Sequence, residues 1–286
     1  MRKQDIVSSL RIFQSVTLWD FPGPRGGRLE RFLCSLSDGA HPEFSVKIEG
    51  NQIYPARINL WCYRDCERKY GEIRDFLLTY PFLKKRRSIL HELDNIFCSF
   101  DWSEVRSIIF GFDLRDDRSR SRLKVWAQFN KMSERKADDC AHRFVRGGRF
   151  SLSDLAFVEG ELILGFDIYL DGNVEKKIYA GIPVDVITKS NPARRTFLKE
   201  VSQIYCSRSP RNFVVHFGLR ESRCFYAFRS HFNFSEYVSR VNAVLTMNGF
   251  SLKVLSLPFS QAFGDKGVRS VNLYYVTSGN MGVIGD

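Results

Sequence analysis

The sequence predicts a mixed α+β fold in which antiparallel β-hairpins alternate with helices. The clearest hairpin lies at residues 160–181, where alternating apolar and aromatic residues flank a turn at Asp171-Gly172. Residues 108–128 repeat this pattern, and Gly111-Phe112-Asp113 there corresponds to Gly165-Phe166-Asp167. Each strand also has one apolar side and one polar side. These observations together indicate one hairpin unit that is used repeatedly.

Three weaker hairpins are predicted at residues 43–63, 213–231 and 250–277. Five hairpins provide ten strands, and closing these strands into a barrel would place their apolar sides under a layer of helices. The polar sides would then surround an interior wide enough for a ligand. We therefore predict a ten-stranded antiparallel β-barrel with helices outside, formed by a single domain over residues 1–286.

Helical periodicity fills the intervals between the hairpins. Residues 64–99 carry two apolar stripes, Tyr70 to Leu77 and Ile89 to Phe97, and Pro81 separates them. A short helix is also expected within the first 27 residues. Further helices are expected at residues 28–37, 134–145, 151–157, 192–206 and 235–248.

The overall charge indicates an anionic partner. The 286 residues include 43 Lys and Arg against 32 Asp and Glu, which gives a net charge of +11. The seven cysteines are irregularly spaced and match neither a disulfide framework nor a zinc site, so a reducing compartment is expected. The chain lacks an apolar run of 18 residues, and polar residues interrupt its basic N-terminus. We expect a cytoplasmic protein that does not insert into membranes.

Cations gather on the polar sides of different hairpins. Arg57, Lys124 and Lys177 lie on three of these sides, and Arg229 lies on a fourth. Such cations are costly inside one cavity unless an anion neutralises them. A pyrophosphate suits them, because Arg binds it bidentately and Lys binds it as a point charge.

Aromatic residues accompany these cations along the chain, namely Trp126, Tyr179, Tyr226, Tyr274 and Tyr275. Their π-faces would stabilise a carbocation by roughly 0.5–2 kcal/mol for each ring. They would also keep water away from it. Cations, aromatic rings and a carboxylate together predict a site that ionises an allylic pyrophosphate.

Several motifs then resemble one known family. They are Gly111-Phe112-Asp113-Leu114-Arg115 with Leu123-Lys124, Gly165-Phe166-Asp167-Ile168-Tyr169-Leu170-Asp171-Gly172, Leu273-Tyr274-Tyr275, and Glu43, Lys47-Ile48-Glu49 and Arg57 in the first hairpin. In this order, and over nearly the whole chain, they resemble the peptide prenyltransferases of cyanobactin biosynthesis. That family is a small branch of the barrel prenyltransferases built from repeated ααββ units (the ABBA fold).

The resemblance implies a monomeric enzyme that moves an isoprenyl group from dimethylallyl or geranyl pyrophosphate to a cyclic or linear peptide. Glu43 matches the carboxylate that assists deprotonation of the acceptor, and Arg57 and Lys124 match pyrophosphate-binding residues. A further basic residue of the family is Gln128 here, and we expect Lys177 to restore the lost charge. Mg²⁺ is expected to arrive with the pyrophosphate, without ligands from the protein.

The carbocation and the prenyl chain are expected to contact Trp126, Tyr179, Phe213, Tyr226 and Tyr275. Bulky Phe213 and Phe217 favour the five-carbon donor over the ten-carbon one. The acceptor side chain stays open among Tyr, Trp, His and Arg. His41, His216 and His231 are alternative candidates for the base.

Two other functions compete with this prediction. A basic module that binds nucleic acid without catalysis is supported by the net charge and by the run Lys84-Lys85-Arg86-Arg87, although such a run is usually a solvated face. A barrel that only carries a lipid-like pyrophosphate or a peptide is the other. The cluster Asp113, Asp116 and Asp117 is interpreted as a turn rather than a metal motif.

Overall fold

The computed structural model describes residues 29, 31–36, 40–49, 52–115, 117–145, 159–160, 162–183, 214–220, 223–230, 259–264 and 267–275. From residue 214 onward it describes the backbone of the strands. The predicted N-terminal helix and the predicted helices at 151–157, 192–206 and 235–248 lie outside the described residues.

Helices and antiparallel strands alternate along the chain, as the sequence predicts. The strands are β1 Ala40–Glu49, β2 Gln52–Cys62, β3 Val105–Asp113, β4 Arg122–Phe129, β5 Met132–Ser133, β6 Glu159–Gly160, β7 Leu162–Tyr169, β8 Val174–Pro183, β9 Val214–Arg220, β10 Arg223–Ser230, β11 Phe259–Gly264 and β12 Gly267–Tyr275. The longer α-helices of the described residues are α1 Cys66–Thr79, α2 Arg86–Phe97 and α3 Glu134–Val145, and residues 31–35 are also helical, within the helix predicted at residues 28–37. A mixed α+β fold is therefore confirmed.

Six antiparallel strands form the part of the sheet in which side chains are described, in the order β1-β2-β3-β4-β7-β8. Strands β9 to β12 are also antiparallel, each to the strand before it. The backbone of β12 pairs with β1, with Tyr274 opposite Ser45 and Tyr275 opposite Phe44. Strands β5 and β6 form a separate two-stranded sheet.

One face of the six-stranded sheet is apolar across β2, β3, β4 and β7, and Lys176 of β8 shares this face, with its Nζ over the Phe144 and Phe166 rings. Alternate residues of β2, β3, β4 and β7 point to this face and are almost completely buried: Ile58, Leu60, Cys62, Ile108, Phe110, Phe112, Leu123, Val125, Ala127, Leu162, Leu164, Phe166 and Ile168. Burying one side of each strand fixes the register, since a slip by one residue would turn this set to the other face.

The helices cover that apolar face. The buried residues of α1 include Tyr70, Ile73, Phe76 and Leu77, which form the stripe predicted from its spacing. The Phe76 and Phe110 rings meet edge to face at 5.6 Å, and the Phe97 ring of α2 lies 5.8 Å from Phe166. The hydrophobic core therefore lies between the helices and the sheet, which leaves the opposite face of the sheet for other chemistry.

The turn between β7 and β8 is longer than the predicted two-residue connection. Residues 170–173 separate the strands, and the Asp171 carboxylate accepts a hydrogen bond from the backbone N–H of Asn173 at 2.9 Å. Gly172 adopts φ = 94°, as predicted for a glycine in this turn. The turn packs against the α1–α2 connection, because Lys84 N–H donates to the Leu170 carbonyl at 3.1 Å. Within the described residues, none of the helices is long and apolar enough to cross a membrane.

We expect Gly172→Ala to lower the free energy of unfolding by about 1–2 kcal/mol, the usual cost of a left-handed conformation for a residue with a side chain. The added Cβ would also lie 3.1 Å from the Lys85 side chain. Urea unfolding monitored by circular dichroism measures the effect. Gly71→Ala in α1 is the matched control, because a Cβ there meets nothing within 4 Å and alanine favours helix. Equal stability of the two variants would contradict the assignment of the turn.

Candidate active site on the polar face of the sheet

The second face of the sheet carries charged and aromatic residues in aligned rows. Backbone pairing places Arg57 beside Asp113, Asp113 beside Arg122, and Arg122 beside Tyr169. The next row contains Glu43, Asn59, Gly111, Lys124, Asp167 and Glu175. Side chains in one row or two residues apart on one strand share a face, so these groups lie together.

The repeated Gly-Phe-Asp motif builds this arrangement. In each copy, the phenylalanine enters the apolar core, whereas the glycine and the aspartate point to the polar face. A Cβ at Gly111 would clash with Asn59 Oδ1 and lie 2.6 Å from the carbonyl oxygen of Ile58. The missing side chain therefore lets Asn59 lie flat across β3.

The second copy makes room for an aromatic ring in the same way. A Cβ at Gly165 would lie 2.5 Å from Cγ of Trp126. The indole lies over the glycine, and its Nε1–H donates to Asp167 Oδ1 at 3.1 Å. The Tyr179 ring centroid is 5.2 Å from that of Trp126. This motif thus places two of the predicted carbocation-binding rings side by side.

Asp113 is the anionic centre of the first row. The interpretation of Asp113 as part of a turn was wrong, since it is a fully buried residue of β3. Its Oδ2 lies 3.4 Å from Arg57 Nε, 3.6 Å from Arg115 Nη2 and 3.0 Å from Arg122 Nη2. One carboxylate therefore holds three guanidinium groups.

Asp167 plays the same part in the second row. Its Oδ2 lies 2.9 Å from Arg122 Nη1 and accepts a hydrogen bond from Lys177 Nζ. Lys177 Nζ is 3.7 Å from Glu175 Oε2. Arg122 thereby links the aspartates of the two motifs, and the ammonium of Lys177 is shared between two carboxylates.

These contacts change the ionisation of the buried groups. Burial opposes the charge of Asp113, but Arg57 and Arg122 outweigh it and hold the pKa of this carboxyl well below its usual range. Burial likewise opposes ionisation of Asp167, yet Lys177 and Arg122 hold its pKa well below the usual range. Burial also disfavours the charged form of Arg122, and Asp167 and Asp113 overcome this and raise its pKa.

Lys124 differs from the other cations of this face. It is 1% exposed, and its Nζ lies 3.4 Å from Asn59 Oδ1 and 5.3 Å from the centre of the Trp126 ring. Among the described residues, no carboxylate lies within salt-bridge distance of it. Burial and the neighbouring Arg57 therefore lower the pKa of Lys124 well below its ordinary value.

Glu43 joins the cluster through Asn59. The amide Nδ2 of Asn59 donates a hydrogen bond to Glu43 Oε1 at 2.9 Å. Glu43 is half-buried, and the exposed His41 lies two residues before it on β1. Gln128 is buried and its Oε1 accepts a hydrogen bond from Ser107 Oγ at 2.9 Å.

The structure brings together Glu43, Arg57, Lys124, Trp126, Lys177 and Tyr179 from the predicted set. Tyr226 and Arg229 lie on β10 and Tyr275 lies on β12, where the backbone is described but the side chains are not. Phe213 and His231 lie outside the described residues. The assignments of these residues stay predictions.

Six members of the cluster were not among the predicted site residues, namely Asn59, Asp113, Arg115, Arg122, Asp167 and Glu175. A signal for the aspartates was present, because each occupies the third position of the repeated motif, two residues after its glycine. Arg122 could have been found by alternation, since it shares a strand face with Lys124. The described residues contain no group of three or more His, Cys, Asp or Glu arranged to hold a metal ion.

The fold and this face define an α+β protein with a buried ionic cluster on one side of an antiparallel sheet. The chain belongs to a protein family of unknown function, DUF5838, whose model matches residues 29–249. A search of curated proteins finds no match. The matched region includes every described member of the cluster.

We expect Asp167→Asn to lower the free energy of unfolding at pH 7 by about 3–5 kcal/mol, because it leaves buried Arg122 and Lys177 without their shared carboxylate. A carboxyl group whose pKa is lowered by folding stabilises the protein at pH values above its pKa in the unfolded chain, which is about 3.9. This stabilisation is lost as the pH falls below that value. The free energy of unfolding should therefore decrease less steeply below about pH 4 in the variant than in the wild type. Urea unfolding between pH 2 and 7 measures both effects.

Asp139→Asn, on an exposed position of α3, is the control for this substitution. It should leave the stability and its pH dependence within about 0.5 kcal/mol of the wild type, as is usual for exposed positions. Wild-type stability of Asp167→Asn at pH 7 would show that the ionic cluster is not formed.

Proposed function

We propose that this chain is a peptide prenyltransferase that uses dimethylallyl or geranyl pyrophosphate. The observation that carries the proposal is the buried polar face, where cations and aromatic rings lie together. Lys124 lies between the Asn59 amide and the Trp126 ring, with Tyr179 packed beside that ring. An allylic pyrophosphate needs both features, because its two phosphates are anionic and the carbon that they leave becomes cationic.

We also propose that the sheet closes into a ten-stranded barrel of repeated ααββ units. Its polar face would then surround the interior in which the donor binds. Two observations support it. Backbone pairing continues from β8 to β9 at one edge of the six-stranded sheet and from β1 to β12 at the other. The row that contains Arg57 also continues through Ser45 to Tyr274. Such an interior would exclude bulk water from the carbocation.

The aspartates have a defined role in this proposal. Asp113 and Asp167 neutralise most of the cations and hold their side chains in place before the donor arrives. Preorganised charges of this kind stabilise a developing anion without reorganisation at the moment of reaction. Lys124, which contacts an amide and a ring, would make the most direct contribution to binding the anion.

The reaction breaks the bond between the allylic carbon and the ester oxygen of the first phosphate, and the electron pair of that bond leaves with pyrophosphate. Arg57, Lys124, Lys177 and Arg229 would stabilise that leaving group. Trp126, Tyr179, Tyr226 and Tyr275 would flank the allylic cation. A nucleophilic atom of the peptide then bonds to the cation, and Glu43 takes its proton. General bases of this kind typically contribute 10²–10⁴-fold to the rate.

Mg²⁺ fits the proposal only as a companion of pyrophosphate. Asp113 and Asp167 are bound to Arg and Lys side chains, so they are poorly placed to ligate a metal. The ion would be held by the phosphate oxygens and would neutralise part of their charge. The protein would supply the cationic surface around them.

The nucleic-acid-binding alternative has one supporting observation. Lys84, Lys85 and Arg87 are exposed at the beginning of α2 and beside the β7–β8 turn. This run is short, whereas Arg57, Arg122 and Lys124 are each at most 8% exposed and cannot meet an outer phosphate backbone. The buried cations therefore favour a small anionic ligand.

The primary test is to incubate the full chain with Mg²⁺, dimethylallyl or geranyl pyrophosphate, and a panel of cyclic and linear peptides. Mass spectrometry should detect a gain of one C5 or C10 unit, and fragmentation should identify the modified side chain. Glu43→Gln should reduce turnover by about 10²–10⁴-fold, because the amide cannot take the acceptor proton. Glu67→Gln, on an exposed position of α1, should keep wild-type turnover. No mass gain with any peptide and either donor would overturn the proposal.

A second test measures binding of inorganic pyrophosphate by titration calorimetry. Burial and the neighbouring Arg57 lower the pKa of Lys124, and a bound anion would raise it again, so binding should take up protons as the pH approaches that pKa. Lys124→Met should weaken binding by about 10–100-fold, the loss of a charge-assisted contact worth roughly 1.5–3 kcal/mol, and should reduce the proton uptake. Proton uptake is measured by repeating the titration in buffers of different ionisation enthalpy. The exposed Lys131→Met is the control, and equal values for both variants would contradict the role of Lys124.

A further inference from the structure

The Asn59 side chain joins the two halves of the proposed site. Its Nδ2 donates to Glu43 Oε1 at 2.9 Å, and its Oδ1 lies 3.4 Å from Lys124 Nζ. Asn59 itself is 4% exposed, so water does not compete freely for either contact. One small group thus contacts both the proposed base and a proposed pyrophosphate ligand.

The primary amide of Asn59 satisfies both contacts. A carboxylate needs a donor and an ammonium needs an acceptor, and the asparagine side chain presents one of each in a plane. The opposite orientation of the amide would place its oxygen against Glu43 and its N–H₂ against Lys124, which is unfavourable on both sides. The two charged neighbours therefore fix the orientation of Asn59.

The backbone also favours this placement. Asn59 pairs with Glu43 on β1 and with Gly111 on β3, and Gly111 pairs with Lys124 on β4. Glu43 and Lys124 are therefore three strands apart in one row, too far for direct contact. The absence of a Cβ at Gly111 leaves the space through which the amide reaches toward Lys124.

We propose that Asn59 is a positioning residue that holds the Glu43 carboxylate and the Lys124 ammonium in fixed relation across the Gly111 gap. This inference rests on the proposed function and assigns that site a residue between its base and its anion-binding cations. The donated hydrogen bond orients Glu43 toward the peptide acceptor. The accepted one directs the Lys124 ammonium toward the pyrophosphate.

Two substitutions separate the contacts. Asn59→Asp keeps the size of the side chain and an acceptor for Lys124, but it places a second carboxylate beside Glu43. Asn59→Leu removes both contacts. Asn130→Asp, on an exposed position after β4, is the control for the change of charge. Circular dichroism and thermal unfolding select variants that retain the fold.

Asn59→Asp should lower kcat for prenyl transfer by about 10–100-fold, within the range that a positioned base contributes. The acidic limb of its pH profile should move to higher pH, since two adjacent carboxylates bind a proton more readily than one. Asn59→Leu should lower kcat similarly and move that limb by less, because it removes the hydrogen bond to Glu43 without adding a charge, and it should also weaken binding of inorganic pyrophosphate. If Asn59 only maintained the fold, its substitution would shift neither the pH profile nor the loss of kcat relative to the loss of pyrophosphate affinity.

The outcomes distinguish this inference from the proposed function. Active wild-type enzyme with an unchanged kcat and pH profile in Asn59→Asp would overturn the role of Asn59 and leave the proposed function standing. An unchanged kcat in folded Asn59→Leu would do the same. A wild-type chain that transfers no prenyl group would overturn both.

Discussion

The described structure depends on neutralising charge on one face of a sheet whose other face is a hydrophobic core. Asp113 and Asp167 are fully buried, and Arg122 spans the distance between them. Removing either carboxylate would take a buried counter-charge from several guanidinium or ammonium groups at low exposure, which is far more costly than losing a surface ion pair. The ionic cluster therefore restrains the register of β3, β4 and β7 from the side opposite the helices.

That restraint has a consequence for ligand binding. Most cations of the polar face already have carboxylate partners, so the cluster needs no ligand to be stable as a whole. Lys124 differs from Arg57, Arg115, Arg122 and Lys177, because it contacts an amide and an indole ring. Under the proposed function, the affinity of the site for an anion would be concentrated near Lys124, while the paired arginines would supply orientation and a positive field.

Much of the fold could be predicted because its causes are local. Apolar residues at helical spacing marked α1 and α2, and alternation marked the first three hairpins, whose strands have one side in the core. The length of the β7–β8 turn and the position of Asp113 could not be predicted in this way. An aspartate before a polar loop has the same local pattern whether it ends a buried strand or begins a turn, and only its contacts with Arg57 and Arg122 distinguish the two.

The sequence by itself determined which residues share a face, because side-chain alternation in a strand is a property of the backbone. It thereby placed Arg57, Lys124 and Lys177 on the polar sides of their strands. The two copies of Gly-Phe-Asp likewise indicated a repeated structural unit. Only the tertiary structure decided which charges neutralise one another, since that depends on register between strands far apart in the chain. It paired Arg122 with Asp167, and it left Lys124 beside Asn59 because the glycine at position 111 has no side chain to separate them.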